Sequence, residues 1–157
     1  MNNFQIITVI CLLILLLIIA WCDQRTMTIP NALVLACMVL AALAVFTFPK
    51  VGISSRLIGM VVVSLPLLLI TFIVPGAFGG GDIKLLAVLG FYLGWKMCLI
   101  SFALAVLAGG IYAIVFLLLR KKNGKAHFAF GPFICAGTIF TMFAGEKLLS
   151  WCLSVLK

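Results

Sequence analysis

Acidic side chains are scarce here: Asp23, Asp82 and Glu146 are the only three in 157 residues. Charged types of both signs reach only 9%, against about a quarter of an average soluble domain. A chain so short of charge is not a disordered one, which needs polarity to remain solvated. Hydrophobic types fill the vacancy at 66%. A soluble domain of this size leaves about a third of its surface in water, and there is too little polar material to cover it. Soluble globular proteins and nucleic-acid modules are thereby excluded, and the solvent is lipid. The formal net charge of +8 then reads as basic loops that orient the chain against an anionic leaflet.

Other absences narrow the chemistry. None of the six cysteines (Cys11, Cys22, Cys37, Cys98, Cys135, Cys152) forms a C-x-x-C pair, which argues against a zinc knuckle or redox motif. Most lie in apolar runs, where Cys behaves as a small hydrophobe. There is one histidine, His127, and no H-E-x-x-H, so a zinc peptidase is not indicated. One His with two distant Asp is a thin ligand set, and neither a metal nor a cofactor is expected. Met1–Phe4 lacks Lys and Arg, and no A-x-A follows the first apolar run. That run therefore reads as a retained span and not a cleaved signal peptide.

Six apolar runs follow one another. They are Phe4–Cys22, about Ala32–Phe48, about Leu57–Val74, Ile83–Leu93, about Met97–Leu119, and a last run from near Phe128 past Glu146-Lys147 towards Lys157. They are apolar all round, the pattern of lipid-embedded helices, and lack the alternation of barrel strands. The expected fold is an all-α polytopic membrane protein of about six transmembrane helices, with residues 1–157 as a single domain. Run four, with eleven residues, is too short for about 30 Å of hydrocarbon. It must borrow Asp82 and residues after Gly94, or begin inside the protein. Run six is either one long span or a shorter span with an interfacial helix, breaking at Glu146-Lys147. Gly59, Pro66, Gly109 and Gly110 read as helix packing.

Counting crossings puts the loops after runs one, three and five on one side. That side holds Arg25, Lys84, Arg120, Lys121, Lys122 and Lys125. The other holds Lys50, Arg56, Lys96, Lys147 and Lys157. The basic cluster Arg120–Lys125 makes the first side the cytoplasmic one. Asp23 and Asp82 lie on that same side, each at a helix end. An acid at a membrane border tends to mark function, although either Asp alone could be an ordinary cap. Paired carboxylates sharing one proton can hydrolyse a peptide without a metal, one acting as base on water and the other as acid on the carbonyl. Gly79, Gly80 and Gly81 would let a substrate strand approach Asp82 closely. A small transporter or membrane scaffold, with the two Asp as a proton relay or polar packing pair, is the alternative.

The stretch Gly79-Gly80-Gly81-Asp82-Ile83-Lys84 closely resembles the G-x-G-D-x-K segment of type IV prepilin peptidases. Asp23-Gln24-Arg25 with Ile29-Pro30-Asn31 looks like the segment carrying that family's first catalytic aspartate, and Phe130-Gly131-Pro132-Phe133 resembles its F-G-P-F motif. The resemblance implies an intramembrane aspartic endopeptidase that removes the leader of prepilins or pseudopilins at the cytoplasmic face of the bacterial inner membrane. Carried over, Asp23 and Asp82 are the catalytic pair and Gly79 and Gly81 the motif glycines. Longer members carry two C-x-x-C pairs associated with methylation. Their absence here resembles the peptidase-only form of tight-adherence, Flp-type or competence-type pilus systems, so no methyltransferase activity is expected. The implied partners are the prepilin or pseudopilin substrate, the bilayer and the pilus assembly machinery, with no nucleic acid. Lys84 is expected either to hold negative charge at the dyad or to snorkel. Arg25 is expected to mark the cytoplasmic border or to orient Asp23. Asn31 is expected to cap run two, and Phe130–Phe133 to pack at a helix start.

Overall fold

A computed structural model describes residues 2–119 and 129–155. The basic cluster Arg120–Lys125 and His127 lie outside the described residues. Among the described residues seven helices follow in order: α1 (Asn3–Thr26), α2 (Asn31–Thr47), α3 (Ile53–Val62), α4 (Ser64–Ile73), α5 (Gly80–Leu93), α6 (Trp95–Leu119) and α7 (Gly131–Val155). Only Val63 separates α3 from α4, so the described residues make six apolar segments. Four of them, Asn3–Thr26, Ile53–Ile73, Trp95–Phe116 and Gly131–Trp151, are long and apolar enough to cross a membrane. The protein is an all-α multi-pass membrane protein.

Proline and glycine place the breaks. Pro66 lacks the N–H that the Val62 carbonyl would accept, and its ring crowds that carbonyl. The segment accordingly breaks three residues earlier, at Val63. Gly94, at φ 80°, makes the reversal from α5 into α6 that a side chain would oppose. Helix α1 runs four residues beyond the apolar run, because Asp23, Gln24, Arg25 and Thr26 continue the backbone ladder to Met27, whose N–H donates to the Asp23 carbonyl at 2.8 Å. Asp23 is thus in the last turn of a helix and not in a loop.

Run four takes Gly80, Gly81 and Asp82 into its first turn but nothing beyond Leu93. At 14 residues and about 1.5 Å each, α5 is about 21 Å long, shorter than the hydrocarbon. Its environment explains this. Ile83, Leu85, Leu86, Val88, Leu89, Gly90 and Tyr92 are all buried, and α5 packs on α2, α3, α4, α6 and α7. It is the central post of the bundle, surrounded by protein instead of lipid. Its contact with α3 is backbone on backbone: a Cβ at Gly59 would overlap the Gly90 carbonyl, and one at Gly90 the Gly59 carbonyl. Large side chains such as Leu17, Phe46, Phe72 and Ile111 point outward, as lipid-facing residues do. Run six is one continuous helix through Glu146 and Lys147 as far as Val155.

Arg56, counted above among the loop cations of the other side, is fully buried. Its guanidinium uses all its donors on backbone carbonyls. Nε donates to Val51, Nη1 to Phe91 and Tyr92, and Nη2 to Ala44 and Phe48, at 2.8–3.2 Å. These carbonyls include the C-terminal ends of α2 and α5, where a cation also meets the negative end of each helix dipole. The sequence shows the charge but not its partners, because backbone carbonyls carry no residue signature.

Candidate active site

The opposite end of the bundle collects two of the three acids. Asp23 comes from the last turn of α1 and Asp82 from the first turn of α5. Both line one pocket of about 720 Å³, together with Met27, the 76–79 turn, Val106, Gly109 and Gly110 of α6, and Ala129 and Phe130 ahead of α7. The crossing count put the two aspartates on one face; the fold brings them to one cavity.

The two carboxyl groups have unlike surroundings. Asp23 is buried, and its Oδ2 accepts the backbone N–H of Gly131 at 2.9 Å. Asp82 is half-buried, and its Oδ1 has no hydrogen-bond partner among the described residues. A buried polar atom without a partner is costly unless something else reaches it, and this one belongs to a residue lining the pocket.

The glycines divide by role. Gly79 lines the pocket, and a Cβ there would stand 3.0 Å from Asp82 Oδ2. Gly81 faces the other way, where a Cβ would press on Ile29 at 2.9 Å, so it allows the α1–α2 turn to sit against α5. Gly109 and Gly110, read from the sequence as packing residues, form part of the pocket lining. Gly109 does also pack, since a Cβ there would meet the Phe130 ring at 3.0 Å, whereas nothing lies within 4 Å of a Cβ at Gly110.

The two cations are engaged elsewhere. Lys84 Nζ donates to Asn31 Oδ1 at 3.1 Å, an exposed link between the starts of α5 and α2. Asn31 is therefore the first helical residue of α2 with Pro30 in the cap position, and not the cap itself. The Arg25 guanidinium stacks over Trp21, 4.5 Å from the ring centroid. Neither residue is part of the pocket lining. Among the described residues no group of three or more His, Cys, Asp or Glu is placed to hold a metal ion.

Comparison with known proteins gives the family. The model of the type IV leader peptidase family matches residues 10–114, a stretch that includes both aspartates. The "Prepilin leader peptidase/N-methyltransferase" of Bacillus subtilis is 32% identical over 149 residues, covering 95% of this chain and 60% of the relative. The protein of that name from Pectobacterium carotovorum is 30% identical over 136 residues, 83% of this chain and 49% of its own. The one from Aeromonas salmonicida is 36% identical over 78 residues, 50% of this chain and 27% of its own. This chain thus spans between about a quarter and three fifths of the curated relatives it matches. No solved structure matches it.

Proposed function

This chain belongs to the type IV leader peptidase family, and on that premise we propose that it is an aspartic endopeptidase cleaving the leader from prepilins or pseudopilins. The observation that carries the reading is the convergence of Asp23 and Asp82 on one pocket. In this account the dyad holds one proton between two carboxyls, as close like charges require. The ionised carboxylate takes a proton from water as the water oxygen attacks the scissile carbonyl carbon. The protonated one gives its proton to the carbonyl oxygen. Collapse of the resulting neutral diol breaks the C–N bond, protonates the leaving amine and restores the dyad.

Gly79 keeps the wall beside Asp82 low enough for an extended backbone to lie there, and Gly81 fixes the turn that carries Asp23's neighbours against α5. Lys84 and Arg25 act as border residues outside the pocket, close enough in sequence to the dyad to meet the acidic or headgroup side of a bound segment. The polar end of the bundle, with Asp23 and Asp82, faces the cytoplasm of a bacterial inner membrane. The basic residues assigned to that side of the chain support this orientation. Residues 1–157 act as one peptidase domain. The transporter or scaffold reading has less support among the described residues: beyond the pocket, the buried side chains of α5 are hydrophobic. Methyl transfer is not part of the proposal. The purified chain, incubated in lipid with a prepilin, should release a product lighter by the leader mass. An unchanged substrate mass would remove the peptidase reading.

A further inference from the structure

The F-G-P-F segment at the start of α7, read from the sequence as packing, is built around a single backbone donor. The first turn of any helix leaves N–H groups without intrahelical partners. Here the Phe133 and Ile134 N–H groups both donate to the Phe130 carbonyl, at 3.0 and 3.2 Å. Pro132 has no N–H at all. The Gly131 N–H is what remains, and it points at Asp23 Oδ2. The residue carrying it has to be glycine, since a Cβ at Gly131 would stand 2.5 Å from Asp23 Oδ2 and 2.9 Å from its carboxyl carbon. The contact joins residues 108 positions apart, and Gly131 lies beyond the matched family residues.

We infer that Gly131 is a positioning residue that makes the dyad asymmetric: its N–H holds Asp23 as the ionised base and leaves Asp82 as the proton donor. An N–H donor stabilises a carboxylate more than a carboxylic acid. It acts at the positive end of α7. Asp82 also sits in a first helical turn, that of α5, but its Oδ1 accepts no hydrogen bond from the described residues. A protonated Asp82 offers that face of the pocket an O–H for a carbonyl oxygen. The inference rests on the proposed function and assigns its two steps. Asp23 takes the proton from water and later delivers it to the leaving nitrogen. Asp82 gives its proton to the carbonyl oxygen and recovers one from the diol when the C–N bond breaks.

Among the described residues, the titratable side chains electrostatically near this pair are Cys135 on α7 and, beside Cys135, Cys37 on α2, while Lys84 on α5 is turned to Asn31. On α1 itself Arg25 is turned onto Trp21, and the α6 residues of the pocket carry no charge. A shift in the acidic limb of the rate profile therefore reports on the two aspartates.

The first test needs no cleavage. In lipid-reconstituted full chain labelled with 15N-glycine, exchange of the Gly131 amide proton should quicken at least about tenfold in Asp23→Ala, since a hydrogen-bonded amide must open to exchange. Asp82→Ala should leave it unchanged. Unaltered exchange in Asp23→Ala, or equal loss in both variants, overturns the contact. The second test uses Gly131→Ala on a prepilin. The crowded carboxylate should lower kcat at least about tenfold with KM within about twofold. It should also move the acidic limb of kcat towards higher pH by about one unit. Gly137→Ala crowds the Ser101 carbonyl by an equal 2.5 Å on the same helix, away from the pocket, and controls for stability. If it reproduces the kcat loss, or if the acidic limb stays in place in Gly131→Ala, the positioning role is wrong. A wild-type chain that cleaves no prepilin overturns the proposed function instead, while the amide exchange still decides the contact.

Discussion

Gly110 shows how much one missing side chain can matter at the residue scale. It lines the pocket in the middle of a helix, and nothing lies within 4 Å of an added Cβ. Gly110→Leu should therefore be accepted by the fold, and even gain up to about 1 kcal/mol of helix propensity. The leucine would occupy substrate space, and cleavage should fall by about two orders of magnitude, as small misplacements of a bound segment do. Cleavage kinetics beside a thermal-unfolding curve in detergent would check both halves. Gly110 was legible only as a small residue in a span, because the sequence does not say which face of α6 meets a cavity. Asp23 and Asp82 were legible, since acids are so rare in this chain that two on one face stand out. The partner of Asp23 was not, because a backbone N–H at Gly131 leaves no trace in composition or spacing. Lys84 and Arg25 were legible as border cations, while their contacts with Asn31 and Trp21 depend on how α1, α2 and α5 meet.

At the scale of elements, two short helices are held by one arginine. α2 and α5 end near each other, and Arg56 satisfies carbonyls at both ends. Its fork geometry reaches four of them at once, which a lysine point charge cannot do. Arg56→Lys should leave buried carbonyls unpaired and cost about 2–3 kcal/mol. It should lower the unfolding midpoint in detergent while reducing cleavage only through loss of folded protein. A variant with wild-type stability would show that the carbonyls find other donors. The runs of the sequence predicted the apolar segments and missed several of their ends, most tellingly beside the two aspartates. Helices α1 and α5 extend into the polar residues that carry the acids, because hydropathy marks where lipid contact stops and not where the hydrogen-bond ladder does. The break at Val63 was foreshadowed by Pro66. The central placement of α5 was hinted at by its length alone, as a short apolar helix crosses a bilayer only when protein surrounds it.

For the whole molecule, the six apolar segments alternate in direction, so the pocket and Arg56 lie at opposite ends of the bundle. Reporter fusions ending at Lys50, after two segments, and at Gly76, after three, should lie on opposite sides, with Gly76 in the cytoplasm. Same-side signals would mean that Ile53–Ile73 does not cross despite its length. All-α architecture and multiple crossings were legible from composition, because so apolar a chain has few other ways to satisfy its backbone in lipid. The central claim is that Asp23 and Asp82 act together on one peptide bond, and product mass tests it most directly. Wild-type chain, Asp23→Asn and Asp82→Asn, reconstituted at equal levels, would each be incubated with the same prepilin. The account predicts leader removal by the wild type and a loss of at least about three orders of magnitude in each variant. Leader removal by either variant at near the wild-type rate would contradict it.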